Sequence, residues 1–293
     1  MVTIKKIEIK NYFGKGYFKW NLDPVVNILG GKNGSGKSTL FKLCFTLLSS
    51  GKIDDHSDKL FSALFEKVII TFSNDWLLTW TIKNSILCDE KGNKQSFSDL
   101  RKQVQAYMIN SFEQHAAKAN LYEKLPKSNP LDDPTMLDLM IKDQIDQRNK
   151  DFSKIMEDLV DSPDEDDIRR TEYVKSYKRI YTSLGHFLQG YDEPFKSSFE
   201  FTKNGNPIGY EHLSMGEKQI LLLLLMVSNT NQEHCVFFMD EPDLSMHIDW
   251  KEILVKELHN LNPNMQIILS THAPSVITGW HDKVKEINQL ITE

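Results

Sequence analysis

The sequence has few cysteines and no long hydrophobic segment. Its three cysteines, Cys44, Cys88 and Cys235, lie far apart and form no C-x-x-C pair, which argues against a disulfide framework or a cysteine-bound metal. The longest apolar run covers residues 220–227 and is too short to cross a bilayer, and the N-terminus lacks the apolar stretch of a signal peptide. We therefore expect a cytoplasmic protein without a membrane partner.

The sequence also lacks internal repeats and a strong excess of charge of one sign. The net charge is -6 at pH 7, so the chain as a whole creates no field that would attract nucleic acid. The composition, with 40% hydrophobic and 26% charged residues, is typical of a folded globular protein. A length of 293 residues suits one large domain with an insertion, or two small domains.

Hydrophobic patterning predicts an α/β core that a helical segment interrupts. Between residues 99 and 189 the apolar spacing is helical, whereas strands and helices alternate before and after this segment. We assign residues 1–95 and 196–293 to the core, a mixed sheet with helices, and residues 96–195 to a mostly helical insertion. The individual elements predicted for the first part of the core are an edge strand over 2–10, a buried strand over 25–29, a helix over 40–48 and an antiparallel hairpin over 67–73 and 77–87.

The strongest local pattern begins at Gly31. The octapeptide Gly31-Lys-Asn-Gly-Ser-Gly-Lys-Ser38 fits G-x-x-x-x-G-K-[ST] completely and lies between a predicted strand and a predicted helix, as a phosphate loop requires. Its backbone N–H groups can surround a β-phosphate, Lys37 can neutralise β- and γ-phosphate charge, and Ser38 can offer a hydroxyl to Mg²⁺. The sequence therefore predicts ATP and Mg²⁺ as cofactors. The predicted ATP-binding residues of the loop are Gly31, Asn33, Gly34, Ser35, Gly36, Lys37, Ser38 and Thr39.

A second apolar run ends in two acids, Asp240 and Glu241. Such a run is typical of a central parallel strand, and ligands bind at the carboxyl ends of these strands. Asp240 is the predicted Mg²⁺ ligand beside Ser38, and Glu241 is the predicted general base for an attacking water. A capped surface turn would explain the two acids alone, but it does not explain their occurrence together with a phosphate loop.

The heptapeptide Leu213-Ser-Met-Gly-Glu-Lys-Gln219 begins a helix. Ser214 and Glu217 have the spacing of a capping box, and a helix N-terminus carrying Ser214 and Gly216 can bind a γ-phosphate. The heptapeptide resembles the signature motif of ABC ATPases in its S-x-G-E-[KR]-Q form. This resemblance implies that the phosphate belongs to a nucleotide held by a second subunit, and hence a homodimer with ATP sandwiched between its subunits.

Two further segments resemble ABC-ATPase motifs. Asp243-Leu-Ser-Met-His247 is similar to the D-loop, which contacts the second subunit, and the strand Ile267 to Ser270 leads into His272, which is similar to the switch histidine at the γ-phosphate. The resemblance therefore adds His272 to Lys37 and Glu241 as a catalytic residue.

Two assignments stay open. The aromatic residue beside adenine is Tyr12 or Phe13, and core packing explains either of them equally well. The Q-loop glutamine, which couples nucleotide to the insertion, is assigned to Gln114, with Gln95 and Gln103 as rivals.

Together the motifs between residues 11 and 275 resemble the non-transporter branch of the ABC-ATPase superfamily that includes RecF, SMC, OLD and PtuA-like proteins. The resemblance implies first a regulatory or sensor ATPase of an antiphage defence or DNA-maintenance system, which acts on a protein effector. The second hypothesis is a RecF-like DNA clamp, and the third is the energy subunit of a transporter. Nucleic acid thus stays open as a partner, and its candidate contacts are the basic residues Arg169, Arg170, Lys175, Lys178 and Arg179.

Overall fold

The computed structural model describes residues 2–51, 53, 55–82, 84–109, 135–161, 166–192 and 199–292. These residues fall into two compact units: a sheet unit within 1–111, 233–243 and 264–293, and a helical unit within 112–232 and 244–263. In chain order the elements are β1 Ile4–Lys10, β2 Tyr17–Asn21, β3 Val26–Gly30, α1 Lys37–Ser50, α2 Asp55–Leu64, β4 Lys67–Phe72, β5 Leu77–Thr81, β6 Asn84–Cys88, α3 Phe97–Gln103, β7 Gln105–Ile109, α4 Met136–Asp161, α5 Asp166–Phe187, β8 Phe201–Lys203, β9 Asn206–Ile208, α6 Met215–Ser228, β10 Cys235–Asp240, α7 Ile248–Leu261, β11 Met265–Ser270, β12 Val284–Glu286 and β13 Ile291–Thr292.

The parallel sheet of the sheet unit has the strand order β12-β3-β11-β10-β7. Every residue of β3, β10 and β11 is buried, which explains why these strands are mostly apolar. The central position predicted for β10 is confirmed, because β11 and β7 pair with it on its two sides. Asp240 pairs in register with Ser270, and Ser270 with Leu29. The segments that follow these three strands therefore begin at one edge of the sheet.

The second sheet of this unit is antiparallel, in the order β13-β2-β1-β4-β5-β6. The hairpin predicted over 67–73 and 77–87 is confirmed for β4 and β5, although its second arm is two strands rather than one. The prediction of an edge strand at the N-terminus is wrong, because β1 pairs with both β2 and β4. Its alternation of apolar and polar residues reflects one buried and one more exposed face, and does not indicate a free edge.

Helix α1 lies in the hydrophobic core that joins both sheets. Phe41 of this helix packs against Phe238 of β10 with 5.7 Å between the ring centroids, and the same core contains Ile7 and Trp80 of the antiparallel sheet. The helix begins after Gly36 and ends before Gly51, and both glycines have left-handed backbones. The core therefore fixes the helix that follows the phosphate loop.

The helical unit is built around α6, which contacts α4, α5 and α7. Residues 220–225 of α6 are all fully buried, as expected for a helix that is apolar on every side. This division differs from the predicted insertion over 96–195, because β7 completes the parallel sheet while α6 and α7 pack with the insertion helices. Within the described ranges, no helix combines the length and apolar character needed to cross a membrane.

Candidate functional site

The phosphate loop packs so closely against its neighbours that two of its glycines, Gly31 and Gly36, have no room for a side chain. Gly31 has a φ of 149°, and a Cβ atom there would lie 2.6 Å from Cγ2 of Ile287. Gly36 has a φ of 98°, and a Cβ atom there would lie 2.6 Å from the hydroxyl of Tyr12 and would also collide with Phe13. Both motif glycines are therefore required by backbone conformation and by packing.

A cavity of about 340 Å³ opens beside this loop. Phe13, residues 33–39 and Glu241 line it, so most of the predicted ATP-binding residues of the loop face one space. Tyr12 instead lies in the core, where it stacks on Phe18 and its hydroxyl donates a hydrogen bond of 3.2 Å to the carbonyl of Ser35. Of the two candidate aromatic residues, only Phe13 is placed where it can meet a ligand in this cavity.

Lys37 lies at the start of α1 and is 5% exposed. Its ammonium donates hydrogen bonds to the carbonyls of Gly31 (2.7 Å) and Lys32 (3.3 Å). Burial lowers the pKa of Lys37 below its ordinary value of 10.5, while the nearby carboxylates of Glu241, Asp240 and Glu286 act in the opposite direction. A partly desolvated cation next to the loop is suited to attract phosphate.

The two acids at the end of β10 have different surroundings. Asp240 is buried, and its Oδ1 accepts a hydrogen bond of 2.6 Å from the hydroxyl of Ser270. Glu241 has a left-handed backbone with a φ of 49°, and its N–H donates to the carbonyl of Ser270 at 3.0 Å. The side chain of Glu241 lines the cavity. Asp240 is thus held against β11 by its hydrogen bond, whereas Glu241 faces the cavity where a ligand would bind.

The imidazole of His272 brings a third chemical group to this cluster. Its Nε2 lies 3.2 Å from Oε1 of Glu241 and 3.1 Å from Nζ of Lys37. Next to it, the hydroxyl of Thr271 donates to Oδ1 of Asp243 at 2.8 Å. A single ring nitrogen cannot accept a hydrogen bond from Lys37 and donate one to Glu241 at the same time. Nε2 can therefore form only one of these two hydrogen bonds at any moment.

The chemistry of these donors fits a magnesium ion. Ser38 lines the cavity with a hydroxyl, and Asp240 supplies a carboxylate at the end of β10. Mg²⁺ prefers hard oxygen ligands of this kind together with oxygens of the nucleotide phosphates. Ser38 and Asp240 are therefore the residues that would hold the ion.

The predicted capping box at the start of α6 is confirmed. The hydroxyl of Ser214 accepts from the N–H of Glu217, and Oε2 of Glu217 accepts from the N–H of Ser214 at 2.7 Å. A Cβ atom on Gly216 would lie 2.8 Å from the carbonyl oxygen of Ser245, which has a left-handed backbone. The segment that resembles a D-loop therefore contacts the first turn of α6.

The Q-loop candidate Gln114 lies outside the described residues. Its two rivals make local contacts in the sheet unit: the amide of Gln95 donates to Asp89 at 2.9 Å, and the carbonyl of Gln103 accepts from Asn74 at 3.0 Å. Neither rival is among the residues that line the cavity.

Sequence reasoning missed Glu286, the third carboxylate that acts on Lys37. β12 pairs with β3 and brings Glu286 opposite Gly30, where a Cβ atom on the glycine would collide with the carboxylate. This residue belongs to no motif, and only the pairing of two strands that lie far apart in sequence could have revealed it.

Comparison with protein families gives a match over residues 89–278 to the model described as "AAA domain, putative AbiEii toxin, Type IV TA system". Among curated proteins, the Retron Vc95 probable ATPase of Vibrio cholerae is 32% identical over 134 residues, which cover 40% of this chain and 26% of the relative. The chain thus matches about a quarter of that relative's length.

Among solved structures, the chain is similar to heads of SMC proteins. An Smc head domain from Pyrococcus furiosus, bound to the C-terminal domain of ScpA, has a TM-score of 0.56 at 14% identity, with 94% of this chain and 91% of that chain covered. The SMC head domain from Thermotoga maritima has a TM-score of 0.54 at 13% identity, with 94% and 90% covered. At this identity the likeness shows the fold, that of an SMC-type ATPase head.

Proposed function

Since the chain belongs to the AAA domain family described as putative AbiEii toxin, Type IV TA system, within the non-transporter branch of ABC-type ATPases, we propose that it binds and hydrolyses Mg-ATP as a dimeric switch. The observation that carries this proposal is the meeting of Lys37, Glu241 and His272 beside the phosphate-loop cavity. Lys37 provides a cation that can bind phosphate, and Glu241 provides a carboxylate that can bind water. The imidazole of His272 contacts both of these side chains.

The binding step uses the loop and Lys37. The backbone N–H groups around Gly34 and Gly36 hold the β-phosphate, and the ammonium of Lys37 exchanges the carbonyls of Gly31 and Lys32 for phosphate oxygens. In our proposal Asn33, Ser35 and Thr39, which line the cavity, complete this contact together with Gly31, and Phe13 meets the base. When held by Ser38 and Asp240, Mg²⁺ neutralises charge that develops on the phosphates.

The chemical step uses Glu241 as a general base. Its carboxylate orients a water molecule and accepts a proton from it as the water attacks the γ-phosphate. His272 lies 3.2 Å from this carboxylate, and it keeps Glu241 oriented while its ring is free to reach the γ-phosphate. Positioning and charge stabilisation of this kind supply most of the rate enhancement in phosphoryl transfer.

The first turn of α6 supports the dimer that we propose. Ser214 and Gly216 lie at a capped helix N-terminus, which favours bound anions. In our proposal they bind the γ-phosphate of the nucleotide held by a second copy of the chain. Because this attraction exists only with ATP bound, the nucleotide biases an equilibrium between separate and closed subunits.

The biological role that we propose is that of a regulatory ATPase in an antiphage defence system, which acts on a protein effector in the cytoplasm. The name of the Vibrio cholerae relative, a retron ATPase, and the toxin named in the family description support this role. The alternative, a DNA clamp, has less support from the structure. The candidate contact Lys175 is already paired with Glu172 at 2.8 Å. The side chains of Arg169 and Arg170 lie outside the described residues and so favour neither role.

Light scattering on the Glu241→Gln protein tests the proposal. Without the base, ATP should remain bound, and the mass should rise from monomer to dimer on addition of Mg-ATP. The Lys37→Ala variant is the control and should stay monomeric, because the charge that binds phosphate is lost. An unchanged mass of the Glu241→Gln protein with ATP demonstrably bound would contradict the dimeric switch.

A further inference from the structure

Helices α4 and α6 run parallel and are joined by two buried polar contacts, one near each end of α6. Near the start of α6, Nζ of Lys218 lies 2.7 Å from Oδ1 of Asp138. At its last residue, the guanidinium of Arg148 donates to the hydroxyl of Ser228 at 2.9 Å. In both pairs the two residues are the same number of positions apart in the sequence. A helix rises 1.5 Å per residue, so the two contacts are about 15 Å apart along each helix.

The contact near the start of α6 is held rigidly from the α4 side. Asp138 belongs to a capping arrangement with Thr135: Oδ2 of Asp138 accepts from the N–H (2.8 Å) and the hydroxyl (2.6 Å) of Thr135. The side chains of Asp138 and Lys218 are 5% and 9% exposed. A buried ion pair is costly to break from one side, because the remaining charge has no partner. Lys218 directly follows Glu217, the residue that caps the first turn of α6.

The contact at the end of α6 depends on a buried arginine. Arg148 is 2% exposed, and besides Ser228 it donates to Ser176 of α5 at 2.8 Å and to Asn229 at 3.3 Å. Its guanidinium also lies 4.1 Å above the ring of Tyr177. The last carbonyls of a helix carry partial negative charge, so a cation at this end is stabilised. Arg148 therefore connects α4, α5 and the end of α6 through one group.

We propose that Asp138 and Arg148 are positioning residues that make α4 and α6 move as one body, so that α4 sets the location of Ser214 and Gly216. The inference rests on the proposed function, because these two residues act on nucleotide only in the closed dimer. An effector that displaces α4 thereby controls hydrolysis without contacting the phosphate loop.

This role predicts a specific kinetic pattern. The phosphate loop belongs to the sheet unit and is held by that unit's own core. Changes at Asp138 or Arg148 should therefore leave the affinity of one subunit for Mg-ATP unchanged. The catalytic rate constant should fall, because a displacement of about 1 Å in a catalytic group can cost about a hundredfold in rate.

The experiment uses the full chain with Asp138→Asn, and Asp143→Asn as a matched control on the exposed side of the same helix. Phosphate release gives kcat, and calorimetry with Mg-ADP, which lacks the γ-phosphate that closes the dimer, gives the Kd of one subunit. We expect kcat of Asp138→Asn to fall by about tenfold or more, with Kd within about twofold of the parent. The control should keep both values.

Variants that should restore kcat distinguish a positioning role of Asp138 and Arg148 from a general loss of structure. Adding Lys218→Gln to Asp138→Asn removes the unpartnered charge and keeps a polar pair, so kcat should recover. At the other end, Arg148→Lys keeps the charge and should retain more activity than Arg148→Met, with Lys150→Met as the exposed control. Circular dichroism verifies that each variant is folded, and Arg148→Lys keeps the test valid if Arg148→Met does not fold.

The inference is overturned if kcat is unchanged in Asp138→Asn, if Arg148→Lys loses as much activity as Arg148→Met, or if Kd rises in parallel with the loss of kcat. These outcomes differ from a failure of the proposed function. In that case the parent chain itself would not hydrolyse ATP, and its Glu241→Gln form would not associate with Mg-ATP.

Discussion

His272 contacts Glu241 through Nε2 and Oε1, which are 3.2 Å apart. Two adjacent parallel strands produce this contact, because Asp240 pairs with Ser270 and the chain continues from both strands in the same direction. The left-handed backbone of Glu241 then separates its side chain from that of Asp240, which bonds to Ser270. The carboxylate of Glu241 therefore faces the cavity, where our proposal needs a base for water.

Replacement of Glu241 tests this arrangement directly. The Glu241→Gln protein should hydrolyse ATP at least about a hundredfold more slowly, because the amide cannot accept the proton from water. Its affinity for Mg-ATP should change little, since phosphate binding depends on the loop and Lys37. Phosphate release and calorimetry measure the two quantities. Glu252→Gln, on an exposed position of α7, is the matched control, and a normal rate in Glu241→Gln would exclude the assigned base.

Alkaline pH should weaken ATP binding earlier than an ordinary lysine would. Burial lowers the pKa of Lys37 below 10.5, so its ammonium is lost as pH rises through that lowered value. Affinity should then fall by up to about tenfold per pH unit above this value. In the same pH range the free energy of unfolding of the nucleotide-free protein should increase. At Lys37 the unfolded chain binds more protons than the folded chain, so its contribution to stability increases with pH.

Calorimetry in two buffers of different ionisation enthalpy measures this effect. Bound phosphate raises the pKa of Lys37 again, so binding at alkaline pH should take up protons. The Lys37→Arg variant is the control, because a guanidinium keeps its charge throughout this range. Equal heats in the two buffers at roughly pH 9 to 10, just below the ordinary pKa of lysine, would contradict the prediction.

Loss of the Ser270 hydroxyl should affect Asp240. In Ser270→Ala, the buried Oδ1 of Asp240 loses its donor, which should lower the free energy of unfolding by about 1–3 kcal/mol. The carboxylate also loses its orientation, so the Mg²⁺ concentration needed for half-maximal activity should rise. Denaturant titration and a magnesium series measure the two effects. Ser62→Ala, on α2, should change neither, and an unaltered magnesium requirement in Ser270→Ala would separate Ser270 from the metal site.

A methyl group at Gly216 should disturb the first turn of α6. The added Cβ would lie 2.8 Å from the carbonyl oxygen of Ser245 and 3.4 Å from Trp250, so backbone must move, at a cost of about 1–3 kcal/mol. ATP-dependent association should be lost in Gly216→Ala on the Glu241→Gln background, while ATP affinity is kept. Gly190→Ala adds the same methyl group where no atom lies within 4 Å and serves as the control. Normal association of Gly216→Ala would argue against contact of this turn with the second subunit.

The sequence was sufficient to predict local features whose chemistry fixes their spacing. The phosphate loop, the apolar strand before Asp240 and the capping box of Ser214 each depend on residues within about ten positions, and each can be recognised without knowledge of the fold. The central place of β10 followed from its continuous apolar run, because only a strand covered on both faces has that composition.

The features that were missed or wrong depend on pairing between distant segments. β1 was predicted at an edge because its alternation shows only that one face is exposed, and alternation carries no information on how many neighbours a strand has. Glu286 reaches the phosphate loop through the pairing of β12 with β3. The helices that surround α6 could not be assigned from sequence either, since an apolar helix does not specify which surfaces bury it.

The equal spacing of the two contacts between α4 and α6 makes helix length a constraint on how this chain can change. Asp138 and Arg148 match Lys218 and Ser228 only while both helices contain the same number of residues between the paired positions. Inserting one residue into either helix would rotate everything beyond it by about 100° and remove one of the two contacts. Single substitutions outside these contacts can accumulate independently, whereas insertions and deletions would have to occur in both helices together.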